Sequence, residues 1–265
     1  MRRIASITAL ILISITFVPT SIVGKRLVFP SNLCACAQSN RETSEVANLA
    51  ARLNSSDEEE RYDTVIHLGS IRTEASANAL KLALNDASEK VRQAALEGLN
   101  GMRDPQLIPT FADRLAKDKS IFVRKTAAYA LGNLQNPMAT TPLVAALKDK
   151  EQEVRGAAVV ALGQYRDTSA VRPLITALAD KSDFVRAYAV YALGINGRDA
   201  TEAVPAIVRL FTSDDDLEVR RQAAHALGRI GDRSVLPQLE RARHSSDPYL
   251  RQAAIEAIKL IESPR

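Results

Sequence analysis

The stretch that decides the fold is Val154-Arg-Gly-Ala-Ala-Val-Val-Ala-Leu-Gly163. Near-copies of it run through the chain: VRKTAAYALG at 123–132, VRAYAVYALG at 185–194 and VRRQAAHALG at 219–228. VRQAALEGLN at 91–100 and LRQAAIEAIK at 250–259 are looser copies, and ERYDTVIHLG at 60–69 is the most degraded. The repeated arginines are Arg61, Arg92, Arg124, Arg155, Arg186, Arg220 and Arg251, spaced by 31, 32, 31, 31, 34 and 31 residues. A near-constant period of this length marks an array of supersecondary units rather than an ordinary globular core.

Each unit reads as two helices. In the quoted stretch Val154, Ala158, Ala161, Leu162 and Tyr165 share one face at helical spacing. A second apolar stretch precedes it, as in residues 141–147 and 171–178. Pro109, Pro142, Pro173, Pro205 and Pro237 lie near first-helix starts, where a missing N–H costs nothing. Gly132, Gly163, Gly194 and Gly228 follow the Ala-Leu pair and read as second-helix ends in a left-handed conformation. Alanines three residues after the arginine let neighbouring helices approach, and a lone pair cannot bury its apolar face, so adjacent pairs must stack. The expected fold is all-α, a right-handed α-α superhelical solenoid of about seven helix pairs over residues 43–262.

An aspartate recurs six residues before the arginine: Asp86, Asp118, Asp149, Asp180 and Asp214. It falls in the turn between the helices, where a carboxylate can cap the following helix. With Arg92, Arg124, Arg155, Arg186 and Arg220 it forms an expected structural ladder, each arginine reaching the Asp of its own or a neighbouring unit. Ser55 and Ser245 replace the Asp in the first and last units, as suits end caps.

The pattern Asp…Val-Arg-x-x-Ala-x-x-Ala-Leu-Gly resembles the HEAT-like repeats named after phycobilisome lyase subunits. The resemblance covers 43–262 and implies a helical scaffold; function resides in sites rather than folds. Phycobilin lyase subunits, which attach bilin chromophores to light-harvesting proteins, give an alternative reading as a chromophore attachment or chaperone subunit. Deoxyhypusine hydroxylase shares the fold but holds two irons through His-Glu pairs. This chain has three histidines and no His-Glu dipeptide, so a di-iron hydroxylase is disfavoured. Phosphate-loop, nucleophile-elbow and zinc motifs are also missing. No catalytic residue, metal or cofactor is assigned.

Residues 1–37 differ in kind. Arg2 and Arg3 precede an apolar run from Ile4 to Val18, and Ala35-Cys36-Ala37 offers a small-residue cleavage site. These are the parts of a signal peptide. Cleavage after Ala37, lipidation at Cys36 and an uncleaved membrane anchor remain as alternatives. The expected location is exported, periplasmic or extracellular, with membrane contact only through this segment. It carries four basic residues and no acid, so its removal from 35 basic and 31 acidic residues leaves 31 of each. The overall balance therefore gives no argument for nucleic acid.

Helical geometry turns the first and fifth residues after each arginine away from the core. They place Lys125, Tyr129, Val160, Tyr191, Arg221 and His225 along the second helices, expected to line a concave wall. Tyrosine and arginine are typical anchors of protein interfaces, although Tyr129 and Tyr191 could instead pack against neighbouring helices. The expected function is a non-catalytic scaffold that binds another protein on this face.

Overall fold

The computed structural model describes residues 43–164 and 167–263. Residues 1–37, with Cys34 and Cys36, and Tyr165 lie outside them. Fourteen helices form seven consecutive pairs among the described residues. The pairs are α1 (43–52) with α2 (Glu58–Ile71), α3 (Glu74–Ala83) with α4 (Glu89–Asn100), and α5 (Ile108–Lys117) with α6 (Ile121–Asn133). They continue as α7 (Thr140–Ala146) with α8 (Gln152–Gly163), α9 (Val171–Ala177) with α10 (Asp183–Asn196), α11 (Val204–Ser213) with α12 (Leu217–Ile230), and α13 (Leu236–Ala242) with α14 (Pro248–Glu262). No strand occurs among the described residues, and the chain is an all-α repeat solenoid.

The core is one row of side chains per helix layer. In the second helices from α4 onward, the residues one before, three after and seven after the arginine are fully or almost fully buried, as in Val123, Ala127 and Leu131. First helices contribute one large apolar residue per unit: Leu80, Phe111, Leu143, Leu174, Ile207 and Leu239, all without exposure. Burying each such side chain contributes about 1.5–3 kcal/mol before entropy is counted. These rows join into one continuous core from Val46 to Ile261.

Successive second helices pack side by side along the whole array. The glycines after the Ala-Leu pair explain how, and they correct the sequence expectation. None of them is left-handed; the positive-φ glycines are Gly197 and Gly231. A Cβ on Gly228 would lie 2.7 Å from the Ala257 Cα, one on Gly163 2.9 Å from the Ala192 Cβ, and one on Gly194 3.0 Å from the Ala226 Cα. The glycines are contact points where the next helix comes too close for any side chain. The left-handed residue falls three positions later, at Arg72, Arg103, Gln135, Gly197 and Gly231. Aspartate or asparagine follows it at Asp104, Asn136 and Asp232, and these three and Asp167 each cap a short 3-10 turn that leads into the next first helix.

The ladder runs between units. Arg61 pairs with Asp86, Arg92 with Asp118, Arg124 with Asp149, Arg155 with Asp180 and Arg186 with Asp214, through Nε and Nη2 to both carboxylate oxygens at 2.7–3.1 Å. The third nitrogen, Nη1, donates to the carbonyl of the arginine's own turn, for example Arg92 to Asp86 O at 2.9 Å. Each Asp therefore serves the preceding unit's arginine rather than its own. Its Oδ1 also accepts the amide two residues on, as Asp118 does from Ser120 at 2.9 Å. The helix cap proper is that second residue: Ser88, Ser120 and Asp216 accept from the amides of Val91, Val123 and Val219.

Arg220 departs from the ladder to which its register assigns it. Ser245 stands where the seventh unit's Asp would be, and Arg220 turns to donate Nε to the Phe211 carbonyl at 3.1 Å. The ion pair of that interface shifts by one residue to Arg221 and Asp247, at 3.2 Å.

Candidate protein-binding face

The candidate site is the solvent face of the second helices. Helical geometry gathers on one stripe the residues two before, one or two after and five after each arginine. In the central units this stripe is aromatic. Phe122 and Tyr129 stand on α6; Phe184, Tyr188 and Tyr191 stand on α10, with Phe184 46% and Tyr191 45% exposed. The Phe184 and Tyr188 rings meet at 4.5 Å between centroids, tilted by 55°, a favourable edge-inclined arrangement. Gly156 on α8 makes room for them, since a Cβ there would collide with the Phe184 ring. Burial, and secondarily the nearby Tyr188, pushes the Tyr129 hydroxyl pKa up.

Cations lie over several of these rings. Lys125 Nζ is 5.5 Å from the Phe122 centroid, and the Arg229 guanidinium is 5.4 Å from that of Tyr191. Phe184, Tyr188 and Tyr191 wall an open cavity of about 520 Å³. Asp183, Asp216 and Glu218 bring three carboxylates to its lining. The arrangement offers apolar contact area with a carboxylate edge, which suits a side chain having an aliphatic stem and a cationic head.

The six residues expected on this face divide. Tyr129, Tyr191 and half-buried Val160 lie on the central stripe, with Lys125 beside Phe122. Arg221 and His225 lie further along, on α12. Arg221 is held by Asp247, by Glu218 at 3.3 Å and by stacking 4.9 Å over Tyr249, so it is an inter-unit strut rather than a free anchor. His225 Nδ1 stands 3.9 Å from the Glu256 carboxylate. Sequence reasoning missed Phe122, Phe184, Tyr188 and Tyr249. The signal was available: counting backward from the arginine by two, or forward by two, keeps the same helical face as the fifth residue. The eighth residue after the arginine is buried, as in Gly132, Gly163, Gly194 and Gly228.

The acidic stretches at residues 57–60 and 214–216 serve as caps and ion pairs. Asp57 accepts the Glu59 amide, Asp214 holds Arg186 and Asp216 caps α12. No group of three or more metal-ligating side chains is gathered among the described residues.

Comparison with known proteins follows the same period. A family model described as HEAT repeats matches residues 46–132, 108–194 and 172–259. The chain belongs to the HEAT-repeat family. Within it, a local match joins this HEAT-repeat chain to the phycocyanobilin lyase subunit alpha of Microchaete diplosiphon, 36% identical over 61 residues. That match spans 21% of this chain and 21% of the relative, about a fifth of its length. Among solved structures, Escherichia coli YibA aligns with a TM-score of 0.62 at 21% identity, over 88% of this chain and 85% of that one. The complex of CpcE and CpcF of phycocyanin lyase from Nostoc sp. PCC7120 contains a chain aligned at TM-score 0.48 and 22% identity, over 82% of this chain and 93% of that one. At 21% identity the likeness to YibA shows the fold alone.

Proposed function

We propose that this HEAT-repeat array is a non-catalytic scaffold that binds another protein along its second helices. The observation that carries the reading is the aromatic stripe from Phe122 to Tyr191, five large rings left in solvent beside a core that is otherwise complete. The second helices pack far more closely on each other than the first helices do, which favours the inner side of a curved stack for this face. A partner segment lying along it would meet aromatic walls in the centre and carboxylates at Asp183, Asp216 and Glu218. The test is capture of partner proteins from the producing cell's envelope by the intact protein and by a Phe184→Ala/Tyr188→Ala/Tyr191→Ala variant. A specific partner should be lost from the variant while its circular dichroism is unchanged. Equal capture by both would overturn the reading.

Export belongs to the same proposal. The basic-then-apolar N-terminus supports delivery beyond the cytoplasmic membrane, by cleavage after Ala37, lipidation at Cys36 or retention as an anchor. Mass analysis of the native protein's N-terminus separates these three; an intact N-terminus on protein recovered from the cytoplasm would refute all of them.

The local match to a phycocyanobilin lyase subunit supports a second reading, as a subunit acting in bilin attachment. Incubation with bilin and an acceptor protein, with and without a second subunit, tests it. Absence of bilin binding and transfer in both conditions removes it.

A further inference from the structure

The break in the ladder leaves a site. We propose that the cleft around Arg220, between the sixth and seventh units, binds a small oxyanion, a carboxylate or phosphate group. The five intact interfaces show what this position accepts: in each, the arginine's Nε and Nη2 grip a carboxylate supplied by the next unit. At the sixth interface that carboxylate is replaced by Ser245. Among the described residues Arg220 retains one hydrogen bond, from Nε to the Phe211 carbonyl, and its terminal nitrogens have none.

A cleft of about 270 Å³ opens at this point, large enough for a small anion with its water. Arg220, Arg241 and His244 line it, together with Thr212, Gln238 and Ser245, and its lining includes no aspartate or glutamate. The nearest ladder carboxylate, Asp214, is already engaged by Arg186 at 2.7 and 2.8 Å. Gln238 is also in the lining, and its Oε1 is buried without a hydrogen-bond partner, so no hydrogen bond fixes which way its amide points. Rotating that amide would exchange the orphaned acceptor for an N–H donor facing the same space. Guanidinium, hydroxyl and amide donors around a carboxylate-free cleft are the chemistry of oxyanion recognition.

The intact protein supplies its own control. Thermal unfolding is measured in chloride, acetate, citrate and phosphate at matched ionic strength, for the wild type, Arg220→Gln and Ser245→Asp. A ligand that binds only the folded state raises its stability with concentration. The wild type should gain ~2–4 °C with a carboxylate or with phosphate, saturably, relative to chloride. The acetate, citrate and phosphate arms tell which oxyanion is preferred. Arg220→Gln should lose the gain. Ser245→Asp restores an internal carboxylate, so it should melt higher than wild type in chloride and show no further gain. An equal rise in all three proteins would be a general salt effect and would overturn the proposal, as would no oxyanion-specific rise in the wild type. Should either variant fail to fold, amide chemical shifts of the wild type decide the matter: phosphate or citrate must move residues around Phe211, Arg220 and Ser245, and unmoved shifts there refute the site.

Discussion

Arg92 and Asp118 show what one residue does in this fold. Their side chains are only 4% and 3% exposed, and the guanidinium is divided between two jobs. Two nitrogens bind the next unit's carboxylate at 2.8 Å, while the third holds the turn carbonyls of Asp86 and Ala87. A lysine could not do this, because the task needs a planar fork with donors on two edges. Such a pair is weak evidence of net stabilisation when compared with an apolar replacement, but breaking it strands a buried charge. Asp118→Asn should therefore destabilise the protein by about 3–5 kcal/mol, read from urea unfolding. A loss of less than about 1 kcal/mol would contradict this, showing that water solvates the released Arg92 guanidinium at little cost.

At the scale of the element, three of the second helix's four faces are constrained, each by a different demand. One is apolar and buried, one carries the ladder, and one meets the adjacent second helix through glycine and alanine. The last face reverses an ordinary rule. Within a helix, glycine to alanine normally gains about 1 kcal/mol. At Gly228 the new methyl would meet the Ala257 backbone at 2.7 Å, and backbone cannot move aside as a flexible side chain can. Overpacking of this kind costs about 1–3 kcal/mol. Gly228→Ala should thus lower the thermal midpoint despite better helix propensity; an increase would show that the two helices can separate at little cost. The fourth face, toward solvent, is free of these constraints. Rings accumulate there from Phe122 to Tyr191 without serving the core, and for that reason it is the face proposed for a partner.

At the scale of the whole molecule, one mechanism recurs at the first five interfaces, so those interfaces respond together to acid. Burial raises the carboxyl pKa values of Asp86, Asp118, Asp149, Asp180 and Asp214, the largest single effect at each. The arginine hydrogen bonds, the turn amide and the neighbouring positive charges together outweigh it, and each carboxyl sits below its ordinary value. A depressed folded-state pKa means that the unfolded chain binds protons first. Stability from the ladder is then complete above about pH 5, and is lost as pH falls below the unfolded value of roughly 4 toward the lowered folded ones. Thermal midpoints should be level from pH 7 to pH 5 and fall steeply below pH 4. A midpoint constant down to pH 2 would contradict the ladder's role. The charge balance fits the same picture, since the excess of basic residues belongs to residues 1–37 and the rest is neutral.

The period, the helix pairing, the apolar rows and the existence of the Asp and Arg positions were all legible in the sequence. Val154, Ala158 and Leu162 recur because local helical geometry alone puts them on one face, and local geometry needs no knowledge of neighbours. Two of the five rings of the aromatic stripe, Tyr129 and Tyr191, were legible for the same reason. What escaped were relations between units. The sequence could not say whether Arg92 reaches Asp86 or Asp118, since both lie within reach of a long side chain. Nor could it say that Gly228 is a contact point, or that Arg221 is consumed by Asp247 while Arg220 is released. Those outcomes depend on the spacing between stacked pairs, at the level of an ångström, and only packing sets that spacing. The sequence by itself determined that the chain is a stack of helix pairs; the tertiary structure decided which charges the stack neutralises and which surfaces it leaves for others.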